Sequence, residues 1–118
     1  ASGAAAIAVE VDLAQRGKPY VYAASGPSAF DCSGLTAYAW AAAGVRLPHD
    51  AAAQIGYGSR VSLDALQPGD LVFYYSPISH VAMYIGDGMV VHAPTTGSVV
   101  KVVSVYASGQ PVGASRPG

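Results

Sequence analysis

One cysteine and two histidines are the residues of this chain best suited to covalent chemistry. Cys32 is the sole cysteine among 118 residues. It follows Phe30-Asp31 and opens onto Ser33-Gly34-Leu35-Thr36-Ala37-Tyr38-Ala39-Trp40-Ala41-Ala42-Ala43, a run that reads as a helix. A thiol there sits among backbone N–H groups that have no helical acceptor, at the positive end of the helix dipole. That field is expected to favour thiolate and lower the thiol pKa. The same N–H groups can stabilise a developing oxyanion. A lone cysteine is most often a small buried core residue. The downstream histidines tip the reading toward a nucleophile.

A cysteine nucleophile needs a base, and the base needs a group that orients it. The chain offers His49, His80 and His92. His80 opens one predicted hairpin strand and His92 lies near the end of the other. If Gly86-Asp87-Gly88 is a three-residue loop, Ile85 pairs with Met89 and Ala82 with His92. His80 then shares a face with His92 as its diagonal neighbour, within ring reach. A two-residue Asp87-Gly88 turn shifts the register by one and parts them. The chemistry therefore predicts the looser turn, with Gly88 left-handed and a bulge. In this reading His80 accepts the Cys32 proton or pairs with its thiolate, and His92 fixes the tautomer and rotation of His80. The alternatives are half-buried sheet histidines satisfied by backbone, or a metal site in which Cys32, His80 and His92 leave a fourth position for water. His49, in Leu47-Pro48-His49-Asp50, stands where a helix dipole disfavours an imidazolium. It is read as a groove-rim or capping residue.

The elements that must position these groups follow from periodicity and turn chemistry. Ala4 to Gln15 reads as a helix, with Ile7, Val11 and Ala14 at helical spacing and Gly17 and Pro19 as the stop. Tyr20-Val21-Tyr22 is a short extended segment, and Ser25-Gly26-Pro27-Ser28 a loop that delivers the chain to Cys32. The cysteine helix ends at Gly44. Asp50 is placed to cap a short third helix through Ala53 and Gln54. After the turn Gln67-Pro68-Gly69-Asp70 come strands over 71–75, 80–85, 89–93 and 99–105. Gln110 to Gly118, rich in Gly and Pro, is expected to trail over the surface. Helices first and strands after predict an α+β domain with an antiparallel sheet.

Composition narrows the function classes. The length fits one domain spanning residues 1–118, and 52% hydrophobic against 11% charged residues argues against disorder. The six basic residues are scattered and the net charge is −1, so nothing favours nucleic acid or an anionic membrane. No apolar run approaches the roughly 20 residues of a membrane span, and no signal peptide is visible. One cysteine excludes an intrachain disulfide and a cysteine-built structural zinc site. A start at Ala1 fits the C-terminal or excised part of a longer secreted protein, and a regulatory or targeting segment can lie outside it.

Several motifs, in order, resemble the NlpC/P60 family of cell-wall cysteine peptidases. They are Gly17-Lys18-Pro19-Tyr20, Phe30-Asp31-Cys32-Ser33-Gly34-Leu35, Leu47-Pro48 with Gln54, Pro68-Gly69-Asp70-Leu71-Val72-Phe73, His80-Val81-Ala82-Met83-Tyr84-Ile85-Gly86 and Val91-His92-Ala93. The likeness runs from about Ala5 to Val105. It implies a papain-like α+β core with the cysteine helix packed on an antiparallel sheet, and a triad of Cys32, His80 and His92. It further implies hydrolysis of peptidoglycan stem peptides, most often between D-γ-glutamate and meso-diaminopimelate or lysine. A monomer without cofactor, secreted to the cell wall, is the expected setting. Tyr20 matches a tyrosine that lines the family's active site and can aid the oxyanion. Asp31 and Ser33 match positions that in some members contact the amino end of a short stem peptide; as bare residues they read equally as a helix cap and a first-turn hydroxyl. Asp70 matches a structural turn residue. Two departures stand out: Tyr22-Ala23-Ala24 replaces an aromatic and two glycines, and Ala51 replaces a hydroxyl residue. The rival functions are a non-hydrolytic wall-binding module and a papain-like amidase or acyltransferase on another substrate.

Overall fold

A computed structural model describes residues 3–118; Ala1, on which the fragment reading partly rests, lies outside them. Helix α1 spans Gly3–Ala14, α2 Cys32–Ala42 and α3 Ala51–Gln54. Strands follow as β1 (Ser59–Arg60), β2 (Leu71–Tyr74), β3 (His80–Gly86), β4 (Met89–His92), β5 (Lys101–Ser104) and β6 (Pro111–Arg116), with a 3-10 turn at Leu63–Ala65. The strands form one antiparallel sheet in the order β1-β6-β2-β3-β4-β5. This is the α+β arrangement expected from the sequence.

Alternation along β2 and β3 divides the core. Leu71, Phe73, Val81 and Met83 pack with Ala5, Ala8, Ala39 and Trp40 of the helices. Val72, Tyr74, Ala82, Val90 and Val105 form a second cluster. The period of two puts successive side chains on opposite faces, so both faces of the central strands are buried. Helix α2 is fixed by specific bonds as well as by burial. The Trp40 indole N–H donates to the Gly69 carbonyl at 3.1 Å. The Gln54 amide N–H₂ donates to the carbonyls of Ser33 (3.0 Å) and Pro48 (2.8 Å), and its oxygen accepts the Thr36 hydroxyl at 2.7 Å. Gln54 is fully buried. Every polar atom of its amide is thus committed to holding the cysteine helix against α3.

The tail departs from expectation. Rather than trailing over the surface, Pro111–Arg116 is β6, seated between β1 and β2. Its small residues are what that place demands: a Cβ on Gly113 would come within 3.1 Å of Ile55 Cδ1 and 3.3 Å of an Arg60 guanidinium nitrogen. The strand is locked by Arg116, whose Nε and Nη2 donate to the two oxygens of buried Asp70 at 2.8 and 2.9 Å. Asp70 also accepts the Gln67 N–H at 2.8 Å, which makes it a structural turn residue.

Candidate active site

The hairpin between β3 and β4 sets the histidine geometry. Met83 pairs with Val91 and Tyr84 with Val90, and the register shifts before Gly86 meets Met89. The turn itself is the two-residue Asp87-Gly88, with φ of 55° and 74°, the positive values that suit strand twist. Taken alone, that turn would part the two histidines. The bulge at Ile85 restores the register that the chemistry requires. His80 Nε2 and His92 Nδ1 are 2.9 Å apart, and both residues are buried.

The start of the cysteine helix is built by Asp31. Its carboxylate caps α2, accepting the Gly34 N–H at 2.7 Å. Gly34 is required here: a Cβ would collide with the Ala24 carbonyl oxygen. Cys32, at the first turn, and His80 line one small cavity of about 140 Å³ together with Tyr20, Ser79, Tyr75 and Ser108. A larger cleft of about 420 Å³ adjoins it through Tyr20, Cys32 and Ser79, and extends past Asp31, Ser33 and His49. Five of the six candidate site residues, Tyr20, Asp31, Cys32, Ser33 and His80, therefore line one groove, and the sixth, His92, reaches it through the His80 ring. Tyr75, Ser79 and Ser108 also line it. Tyr75, expected as the last residue of a strand over 71–75, instead follows β2 with a φ of 72°, and Ser79 and Ser108 carried no sequence signal.

Electrostatics correct one expectation. The Cys32 thiol is raised above the ordinary thiol range, not lowered, because burial outweighs the other influences. The backbone N–H groups of Val81, Ser33 and Cys32 itself favour the thiolate, while the Asp31 carboxylate opposes it. Burial lowers His80 to about 4. His92 is lowered to about 4 as well, by burial first and then by His80 and Lys101. These shifts favour thiol and neutral imidazole at rest. His80 Nε2 is engaged by His92, so Nδ1 is the ring nitrogen left for the thiol. To accept a proton there, His80 must carry its own on Nε2 and donate it to His92 Nδ1. His92 then holds its proton on Nε2, a buried atom with no partner among the described residues. Burial, and next the Cys32 charge, raise the Tyr20 phenol, which stays a donor. Among the described residues no group of three His, Cys, Asp or Glu side chains is arranged to hold a metal, and no helix is long and apolar enough to cross a membrane.

The Tyr22-Ala23-Ala24 departure has a physical resolution. Ala23 adopts φ 64°, a left-handed conformation that glycine takes without strain. Its N–H donates to Asp31 Oδ2 at 3.1 Å, so the cap of the cysteine helix also holds the strained turn. Ala51 lines the larger cleft.

Fold and site together define a papain-like α+β domain, with a cysteine helix set against an antiparallel sheet that carries paired histidines. Residues 17–111 match the model of the NlpC/P60 family, and the chain belongs to that family. It is 44% identical over 109 residues to a probable endopeptidase of Mycobacterium bovis, covering 92% of this chain and 28% of the relative. It is also 44% identical over 95 residues to probable endopeptidase p60 of Listeria monocytogenes, covering 79% of this chain and 19% of that protein. The chain thus spans under a third of the length of these two relatives. The crystal structure of an NlpC/P60 protein from Bacillus cereus superimposes with a TM-score of 0.91 at 32% identity, over 98% of this chain and 41% of that one. The NlpC/p60 domain of the peptidoglycan hydrolase SagA gives 0.85 at 36% identity, over 94% and 97% of the two chains.

Proposed function

We propose that this domain is a cysteine peptidase that hydrolyses peptidoglycan stem-peptide amides, at the bond between D-γ-glutamate and meso-diaminopimelate or lysine. The observation that carries the reading is Cys32 at the start of α2, sharing a cavity with His80, whose ring is held by His92. The names of the relatives, endopeptidases and a peptidoglycan hydrolase, support the substrate class. The Cys32 thiol gives its proton to His80 and attacks the carbonyl carbon. The Cys32 N–H and the Tyr20 hydroxyl hold the oxyanion. His80 returns the proton to the leaving amine, then activates the water that cleaves the thioester. The amine half of the substrate therefore belongs on the His80 side, in the small cavity, and the acyl half in the larger cleft. With the wall as substrate, the domain is secreted and acts there.

The test is to digest purified peptidoglycan with the domain beside Cys32→Ala and resolve the released fragments by mass spectrometry. New fragments ending in γ-D-glutamate, absent with the variant, are expected. Identical profiles on several wall types, with the domain folded, would leave a wall-binding module as the better reading.

A further inference from the structure

A carboxylate in a peptide-binding groove ordinarily selects a substrate ammonium group, because a charge-assisted hydrogen bond is among the stronger polar contacts. Asp31 lines the acyl half of the cleft beside the nucleophile, yet its own chain already occupies it. Oδ1 takes the Gly34 N–H at 2.7 Å and the Ser33 hydroxyl at 3.5 Å. His49 Nε2 lies 2.7 Å from the same oxygen. Oδ2 takes the Ala23 N–H at 3.1 Å. The Asp31 side chain is left 14% exposed, with His49 at 35% above it. The cap and the Ala23 bond are backbone contacts that hold the fold. His49 comes from a different loop, and among the described residues it is the side-chain contact on Asp31 that can be removed without touching α2.

We propose that His49 is a specificity-determining residue: its ring stands on Asp31 in the place a substrate ammonium group would take. The acyl half of the cleft therefore accepts stem peptides whose amino end is acylated, as when they are still joined to the glycan strand, without selecting peptides with a free amine. This rests on the peptidase reading above.

Two probes decide it: L-Ala-γ-D-Glu-meso-diaminopimelate with a free amine, and the same peptide N-acetylated. Hydrolysis is measured with the wild-type domain, His49→Ala and His49→Gln. Affinity for both probes is measured calorimetrically with each of the three forms carrying Cys32→Ala. The wild type is expected to treat the two peptides within a few-fold of each other. His49→Ala is expected to gain about tenfold for the free amine through KM alone, the scale of one charge-assisted contact. His49→Gln, which restores an N–H donor, returns toward the wild-type ratio. A purely structural role for His49 lowers both peptides together and leaves the ratio fixed; that result overturns the proposal. So does a wild type that already prefers the free amine tenfold. If neither probe is cut but the affinity ratios change as described, the inference stands and the peptidase reading falls. If neither probe is bound, both fall.

Discussion

The paired histidines make acid stability a direct test of the site's electrostatics. Burial holds each near 4, against an ordinary 6.5 in the unfolded chain. Between those limits the unfolded chain takes up two protons that the folded chain refuses. Stability is therefore full above about 6.5 and is lost as pH falls toward 4. Each histidine acting alone loses about 3 kcal/mol over that window. Part of the His92 shift is repulsion from His80, so the two do not add in full. The pair together contributes about 3–6 kcal/mol, comparable to the whole stability of a small domain. The perturbation is the double substitution His80→Gln with His92→Gln, and the assay is urea unfolding at several pH values from 7.5 to 4.5. The wild type is expected to lose about 3 kcal/mol or more beyond what the double variant loses. Asp12 titrates in both proteins and cancels in the comparison. Parallel stability curves would show that the imidazoles are not held neutral, and with that the proton-acceptor role given to His80 loses its basis.

Four further outcomes follow from other parts of the fold. Asp12 is fully buried, and neither carboxylate oxygen has a partner among the described residues, so burial raises its pKa. Its contribution is greatest at low pH and fades as pH rises through the raised value. Asp12→Leu should therefore stabilise the domain by about 1–3 kcal/mol, with the larger gain at pH 8, in thermal unfolding. Gln54→Leu strands the Pro48 carbonyl and leaves the Thr36 hydroxyl and Ser33 carbonyl only each other, 3.1 Å apart, and should cost about 1–3 kcal/mol in urea unfolding. Ala23→Gly relieves a left-handed alanine and should raise stability by about 1 kcal/mol, read as an upward shift in the unfolding midpoint. Removal of residues 111–118 withdraws β6 from between β1 and β2, and should abolish the cooperative transition seen by circular dichroism.

Much of the site was legible because chemistry constrained pattern. Cys32 followed an N-cap aspartate, and the demand that His80 reach His92 selected the correct register. The details of the turn were only half legible: the two-residue turn and the bulge at Ile85 offset one another, and sequence shows only their sum. The direction of the Cys32 shift was misread because a helix end is visible in sequence, whereas burial against the core that joins helices and sheet is not. β6 was missed because Pro111-Val112-Gly113-Ala114-Ser115-Arg116 lacks the bulky alternation of a strand; its small residues answer to Ile55 and Arg60, distant in sequence. The His49–Asp31 contact joins two loops 18 residues apart, and nothing local announces it.

The bulge in the β3–β4 hairpin bears on how this domain can diverge. Surface hairpin tips usually tolerate gained or lost residues. Here the tip lies within the 12-residue interval that joins the two histidines. Losing Ile85 would remove the bulge and leave a regular two-residue hairpin, with Tyr84 still opposite Val90 and the two rings still on one side of the sheet. A relative one residue shorter here is therefore expected to have lost the bulge and kept the histidine pair.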